Sequence, residues 1–239
     1  MRRAIVIGAS SGLGFEVAKL LKSDGWRLGV AARRSDLLQR LGDDVETEAL
    51  DVTDAGAETR LLALIERVGG MDLFFYASGI GRQNPQLEAD VELATVCTNG
   101  QGFTRMIGTA FRYMAQNGGG HIAAITSIAG TKGLGPAPSY SATKAFQNVY
   151  LQALEQLANA RRLNIRFTDI RPGFVATALL GDAPNYPLLM QPEAVARQMV
   201  KAIKKQRHIV VIDGRWRIIT TLWRWIPNWI WRRLKLNAN

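Results

Sequence analysis

A glycine-rich turn set directly behind a short apolar run constrains this chain more than any other feature. Ala4-Ile5-Val6-Ile7 is β-rich, and Gly8-Ala9-Ser10-Ser11-Gly12-Leu13-Gly14 follows it into a helical pattern over Gly14–Asp24. Glycines at this spacing permit a tight turn and let backbone N–H groups approach an anion at the positive end of a helix. An ordinary turn also uses glycine. It is the strand before and the helix after that make this one a pyrophosphate cradle.

The rest of the chain repeats the strand–helix alternation. Strands are expected at Leu28–Ala32, Asp72–Tyr76, His121–Ser127, Ile165–Ile170 and Ile209–Ile212. Helices are expected at Leu61–Val68, Val91–Gln116, Ser139–Ala160 and Pro192–Lys205. Near-continuous apolar strands belong in a parallel sheet buried on both faces, so the fold class is α/β, a doubly wound parallel sheet in three layers. No linker or internal repeat divides the chain, which reads as one domain over 1–213 with an extension over 214–239. Basic residues precede the first apolar run, but that run is too short for a signal peptide and reads as a buried strand.

The second strand ends in Ala31-Ala32-Arg33-Arg34, with no carboxylate before Asp36. An acidic side chain there binds the ribose hydroxyls of NAD, whereas a basic one accommodates the 2′-phosphate of NADP. Arg33 can give that phosphate forked, charge-assisted bonds, with Arg34 and Ser10 as further donors, so NADP is expected over NAD. Two solvated surface arginines would be the bland alternative.

Tyr140-Ser141-Ala142-Thr143-Lys144 carries the chemistry. On a helix Tyr140 and Lys144 stand one turn apart on one face. A neighbouring ammonium, together with the positive nicotinamide, favours the phenolate and is expected to lower the tyrosine's pKa, so that it exchanges a proton with a carbonyl or alcohol oxygen. Ser127 can polarise that same oxygen. Asn99, in a helix on the same side of the sheet, can hold a water that links Lys144 to solvent.

Together these motifs resemble the short-chain dehydrogenase/reductase family, in its ordinary single-domain branch. The resemblance implies a Rossmann-type fold and runs in order from about residue 4 to residue 177. It implies that Gly8, Ser10, Ser11, Gly12, Leu13 and Gly14 hold the cofactor and that Asp51-Val52 contacts the adenine. Asn99, Ser127, Tyr140 and Lys144 would be the catalytic four, with the serine thirteen residues before the tyrosine. Arg171–Thr177 resembles the loop after the sixth strand, which includes Pro172 and Gly173; there the Val175 backbone would bond the nicotinamide carboxamide, with Thr177 nearby. Two positions depart from the pattern. Ile7 stands where the family usually has Thr, and Ala77-Ser78-Gly79 stands where it has Asn-Ala-Gly, which puts one sheet contact in doubt while Gly79 keeps the floor of the cofactor site.

The residues between Val175 and Met190 would then form a substrate lid, and their apolar character suits a lipophilic carbonyl or alcohol as well as simple packing on the core. Cys97 is the only cysteine, which excludes an internal disulfide and a cysteine-cluster metal site; no metal is expected, and a reducing cytoplasm is. A homo-oligomer is expected. A non-catalytic NADP-binding regulator or scaffold is the competing reading, and epimerisation or dehydration on the same fold is a third.

The net charge of +10 has one address. Residues 194–239 carry 11 of the 30 Lys/Arg and a single acid, Asp213, and five of the six tryptophans lie there. On a helical wheel over 216–226, Arg217, Thr220, Thr221 and Arg224 share one side, and Trp216, Ile218, Ile219, Leu222, Trp223, Trp225 and Ile226 the other. Such a helix over 215–236 either lies in the interface of the inner membrane face or buries its apolar side against the domain or a second subunit. Nucleic acid is not expected, because the aromatics stand opposite the basic face instead of interleaved with it.

Overall fold

In a computed structural model, which describes residues 1–180 and 186–235, strand–helix alternation produces a seven-stranded, wholly parallel sheet. In chain order the strands are β1 (Arg3–Ile7), β2 (Arg27–Ala32), β3 (Glu46–Ala49), β4 (Leu73–Tyr76), β5 (Gly120–Ile125), β6 (Ile165–Arg171) and β7 (Ile209–Val211). Their order across the sheet is β3-β2-β1-β4-β5-β6-β7. The chain starts in the middle, builds outward to β3, then crosses back to β4. The order therefore reverses between β1 and β4, and the loops leaving these two strands flank a crevice, the usual ligand site of an open α/β sheet.

Alternation along each strand builds two cores. Ala4, Val6, Leu73 and Phe75 face one side, whereas Ile5, Ile7, Phe74 and Tyr76 face the other. The first side is covered by α1 (Gly12–Ser23) through Val17 and Leu21, and by α6 (Pro192–Lys204) through Val195, Met199 and Ile203. The second side is covered by α2 (Ala57–Val68), α4 (Phe103–Gln116) and α5 (Pro138–Ala160), through Leu61, Leu64, Met106, Ala110 and Leu151. Helices on both faces make the three-layer Rossmann-type fold.

Element boundaries fall within a few residues of those expected from sequence, with informative exceptions. The expected single helix over Val91–Gln116 is α3 (Ala89–Val96), a π-helical stretch Cys97–Gly102, and then α4. Such a bulge re-aims side chains and recurs at functional sites. The expected strand to Ser127 stops at Ile125, and Ser127 instead caps a short 3-10 turn over Ile128–Thr131 by accepting from Ala129 N–H at 3.0 Å. A 3-10 segment over Ser35–Leu41, which has no strong periodicity to announce it, buries Leu38 and Leu41.

After β7 the chain turns through Asp213 in the left-handed region (φ 74°), held by an N–H bond from Arg215, into α7 (Gly214–Trp225) and the one-turn α8 (Asn228–Trp231). The wheel drawn from sequence is corrected here. Trp216 and Thr220 are buried, with Ile219 and Trp223 beside Trp216 against the core, so Thr220 lies on the inner face and not with the arginines. Its hydroxyl is satisfied by the Trp216 carbonyl at 2.8 Å, which is how a threonine is accommodated there. Ile218, Leu222 and Trp225 are left outside.

Trp216→Ala is expected to lower unfolding stability by roughly 3–5 kcal/mol, as truncating a buried aromatic does. Trp225→Ala, at 81% exposed, should stay within about 0.5 kcal/mol. Urea unfolding of the two variants checks the difference.

Candidate active site

The glycine loop is dictated by close approaches. Gly8 has φ +88°, and a Cβ there would sit 2.7 Å from the Ser78 nitrogen; one on Gly14 would run into the Gly8 carbonyl. Helix α1 therefore crosses β1 and the β4 loop at backbone distance. Its N-terminus has no side-chain cap and no acid in its first turn, which leaves N–H groups and the positive helix end toward the crevice. The doubtful contact at Ala77 is met by main chain: Ala77 N–H donates to the Ile7 carbonyl at 2.8 Å.

Charged groups gather at the β2 end of this crevice. Arg34 donates to the Ser11 hydroxyl at 3.1 Å, and Arg33 is exposed close enough to Asp51 to act on its charge. Burial pushes the Asp51 carboxyl up, but bonds from the Thr53 N–H and hydroxyl, with Arg33 nearby, outweigh it and hold the group below its usual value. Val52 is seated against the π-helical stretch, where a Cβ on Gly102 would lie 2.6 Å from its methyl group. Across the crevice the segment after β6 returns over the loop: the Thr177 methyl is 3.4 Å from the Cβ position of Gly12. Pro172 accepts from Ile128 N–H at 3.1 Å, and Val175 is fixed by a bridge to Met190. An uncapped helix end and glycines that admit no side chain fit the pyrophosphate of a dinucleotide.

The catalytic candidates converge at the C-terminal ends of β4 and β5. Lys144 is buried on α5, its ammonium 5.6 Å from the centre of the Tyr140 ring. It donates to the Ile125 carbonyl at 3.3 Å and to Gln147 Oε1 at 3.0 Å. Burial lowers its pKa to about 8, against the opposing charge of Asp169. Gly79 lies beside both Lys144 Nζ and Asn99 Oδ1, at 3.7 and 3.2 Å from its Cβ position. Gly81 is obligatory for a different reason, since a Cβ there would press 2.6 Å from the Tyr140 ring.

The structure adds to two expectations from sequence. Tyr140 is not lowered in the protein alone: burial raises its pKa, and the hydrogen bond with Ser127 opposes that. The cause is enclosure of the phenol, while the Lys144 ammonium is turned to Gln147 and the Ile125 carbonyl. A side chain also joins Asn99 to Lys144. Gln147 donates to the Asn99 carbonyl at 2.8 Å and accepts from Lys144. The Asn99 amide itself clamps Ile80, accepting from its N–H at 2.9 Å and donating to its carbonyl at 2.7 Å. Gln147 was missed in the sequence; its only signal is its place one turn after Lys144 on the same helix face.

Of the expected lid, residues 181–185 lie outside the described residues. Its two ends are apolar and close to the site, with Phe174 packed on Tyr186 at 4.6 Å between ring centres and Gln83 donating to the Tyr186 hydroxyl at 3.4 Å. Among the described residues no cluster of His, Cys, Asp or Glu could hold a metal ion.

Residues 2–185 match the family model described as short chain dehydrogenase. The chain belongs to the short-chain dehydrogenase/reductase family. An uncharacterised oxidoreductase of Myxococcus xanthus is 32% identical over 239 residues, covering 95% of this chain and 93% of the relative. Among solved structures, a 3-ketoacyl-(acyl-carrier-protein) reductase from Brucella melitensis complexed with NADH superposes with a TM-score of 0.80 at 22% identity, covering 89% of this chain and 97% of that one. An alcohol dehydrogenase from Thermococcus sibiricus complexed with 5-hydroxy-NADP gives 0.76 at 24% identity, covering 89% and 96%. Those two are fold likenesses. Family membership makes this chain an oxidoreductase that uses a nicotinamide cofactor.

A buried lysine charge works against folding. A fall from 10.5 to about 8 corresponds to roughly 3 kcal/mol at 1.36 kcal/mol per unit. The penalty is full below pH 8, where both folded and unfolded states hold the proton, and vanishes above the unfolded value. Lys144→Met should therefore raise the thermal midpoint at pH 7 and lose that advantage near pH 10.5, as followed by calorimetry at the two pH values.

Proposed function

We propose that this protein is an NADP-dependent oxidoreductase of the cytoplasm that interconverts a lipophilic ketone or aldehyde and its alcohol, with Tyr140 as proton donor and acceptor. The observation that carries this reading is the convergence of Tyr140, Ser127 and a buried Lys144 beside an anion-accepting loop that has arginines where an NAD site has an acid. The bound cofactor supplies or accepts the hydride at carbon.

The side chains manage the oxygen. Ser127 hydrogen-bonds the carbonyl oxygen and holds it against the Tyr140 phenol, which donates its proton as charge develops there. Burial keeps the phenol protonated at neutral pH, the form that reduction needs. Lys144 places a cation next to the ring, and Gln147, itself bonded to the Asn99 carbonyl, holds that ammonium in position. Arg33 and Arg34 receive the 2′-phosphate, with Ser10 as a further donor; Gly8, Ser11, Gly12, Leu13 and Gly14 receive the pyrophosphate, while Asp51 and Val52 border the adenine. Gly79 floors the nicotinamide end, which Pro172, Gly173, Val175 and Thr177 cover. Phe174, Tyr186 and Leu188 give the substrate side its apolar character. The homo-oligomeric state is supported by a second apolar patch, in which Leu93 and Val96 of α3 and Phe146 and Val149 of α5 are exposed.

Tyr140→Phe is expected to reduce turnover of ketones by NADPH at least a hundredfold while cofactor binding, read by fluorescence, stays within twofold; full turnover would overturn the mechanism. Arg33→Ala should raise the KM for NADPH about tenfold or more and leave that for NADH nearly unchanged, since only the former loses a charge-assisted phosphate contact. The scaffold reading would be favoured by tight NADPH binding with no turnover on a broad carbonyl panel.

A further inference from the structure

The C-terminal segment has an inner and an outer face, and they do different things. The inner face is a chain of aromatic contacts. Phe174 meets Trp216 at 5.6 Å, Trp216 meets Trp223 at 6.3 Å, and Trp223 meets Trp231 at 5.5 Å between ring centres. A Cβ on Gly173 would collide with the Trp216 indole. At the far end Trp231 Nε1 donates to the Gly133 carbonyl at 2.7 Å, and Lys132 donates to the Ile226 carbonyl at 3.0 Å and to Asn228 Oδ1 at 2.7 Å. The segment thus grips both chain stretches that border the Ser127–Tyr140 site, the one following Ser127 and the one following β6.

The outer face is uncovered. Ile218, Leu222 and Trp225, spaced i, i+4 and i+7, form one ridge at 64, 61 and 81% exposure, and Trp229 continues it at 63%. Arg215, Arg217, Arg224, Arg232, Arg233 and Lys235 are exposed around this ridge, and Arg233 lies over the Trp229 ring at 5.8 Å. Asp213, the single acid of residues 194–239, is engaged by Arg215. Beneath the rim, a cleft of about 590 Å³ is lined by Lys132, Arg232 and Lys235 over Trp231 and Leu234. Among the described residues no helix is long and apolar enough to cross a membrane.

Charge decides the occupant. A second copy set face to face would bring arginine against arginine, and the exposed Leu93, Val96, Phe146 and Val149 of α3 and α5 serve self-association better. Indole rings and aliphatic side chains ringed by arginines match the interface of an anionic bilayer, where apolar side chains enter the acyl boundary and nearby cations are drawn to the headgroups.

We propose that Ile218, Leu222, Trp225 and Trp229 dock this protein on an anionic phospholipid surface, with the arginine rim on the headgroups. Through Trp216 and Trp231 the docked segment holds the two stretches bordering the site at the bilayer. Docking stands on this surface alone and not on the hydride chemistry, so it is read without turnover.

The test is co-sedimentation of the full-length protein with phosphatidylcholine vesicles with and without phosphatidylglycerol. Binding should require phosphatidylglycerol and fall steeply with salt. The L222S/W225S/W229S variant should bind at least tenfold more weakly, with an unchanged thermal midpoint and oligomeric mass. Equal binding to neutral and anionic vesicles, no binding to either, or a variant that binds as well as the parent would overturn the proposal. So would a variant of reduced oligomeric mass, which would make this face a contact between copies.

Discussion

The buried ammonium of Lys144 is the interaction on which the rest of the site depends. Taking a charge out of water costs several kcal/mol unless acceptors and an opposing charge surround it, and this fold supplies them from four elements. The Ile125 carbonyl comes from the end of β5, Gln147 from the next turn of α5, and the Asn99 carbonyl behind Gln147 from the π-helical stretch. The field of Asp169 comes from β6, where Arg171 and Thr126 hold its carboxylate. The helix irregularity at 97–102, the abrupt end of β5 and the packing of α5 on the sheet are thus parts of one arrangement around a single charge.

The glycines serve the same arrangement from the other side. Gly81 lets the Tyr140 ring lie flat against the backbone, and Gly79 leaves space beside Lys144. Gly8 and Gly14 bring β1, α1 and the β4 loop into backbone contact, so the anion-accepting helix end opens onto the same crevice as the phenol. A side chain at Gly8 or Gly14 would push these backbones apart, and one at Gly81 would displace the Tyr140 ring. Stability is given up at Lys144 and the topology is what recovers it, since the switch between β1 and β4 brings both sets of loops to one edge of the sheet.

Much of this was legible in the sequence because it rests on local rules. Apolar runs alternating with helical periodicity gave six of the strands and the doubly wound class, and β3 escaped because Glu46-Thr47-Glu48-Ala49 has no apolar run to mark it. The glycine loop and the Tyr140–Lys144 pair stand out by spacing, and the family resemblance adds Ser127. What was not legible depends on contacts distant in sequence. The bond from Gln147 to the Asn99 carbonyl spans 48 positions, and enclosure of Tyr140 requires Gly81, so neither the missing link nor the rise in the tyrosine's pKa could be read from Tyr-x-x-x-Lys. The wheel failed at Thr220 because a hydroxyl bonded to its own helix is as acceptable inside as out.

The central claim is that Lys144 is a buried charge held within hydrogen-bond reach of Gln147 and next to Tyr140. Nuclear magnetic resonance titration of the protein labelled at lysine Cε, with the Lys144 signal assigned by its loss in Lys144→Met, tests it most directly. The account predicts a midpoint of about 8, moving lower still in Gln147→Leu as the ammonium loses an acceptor. A midpoint at the ordinary lysine value of about 10.4, unchanged by Gln147→Leu, would contradict it.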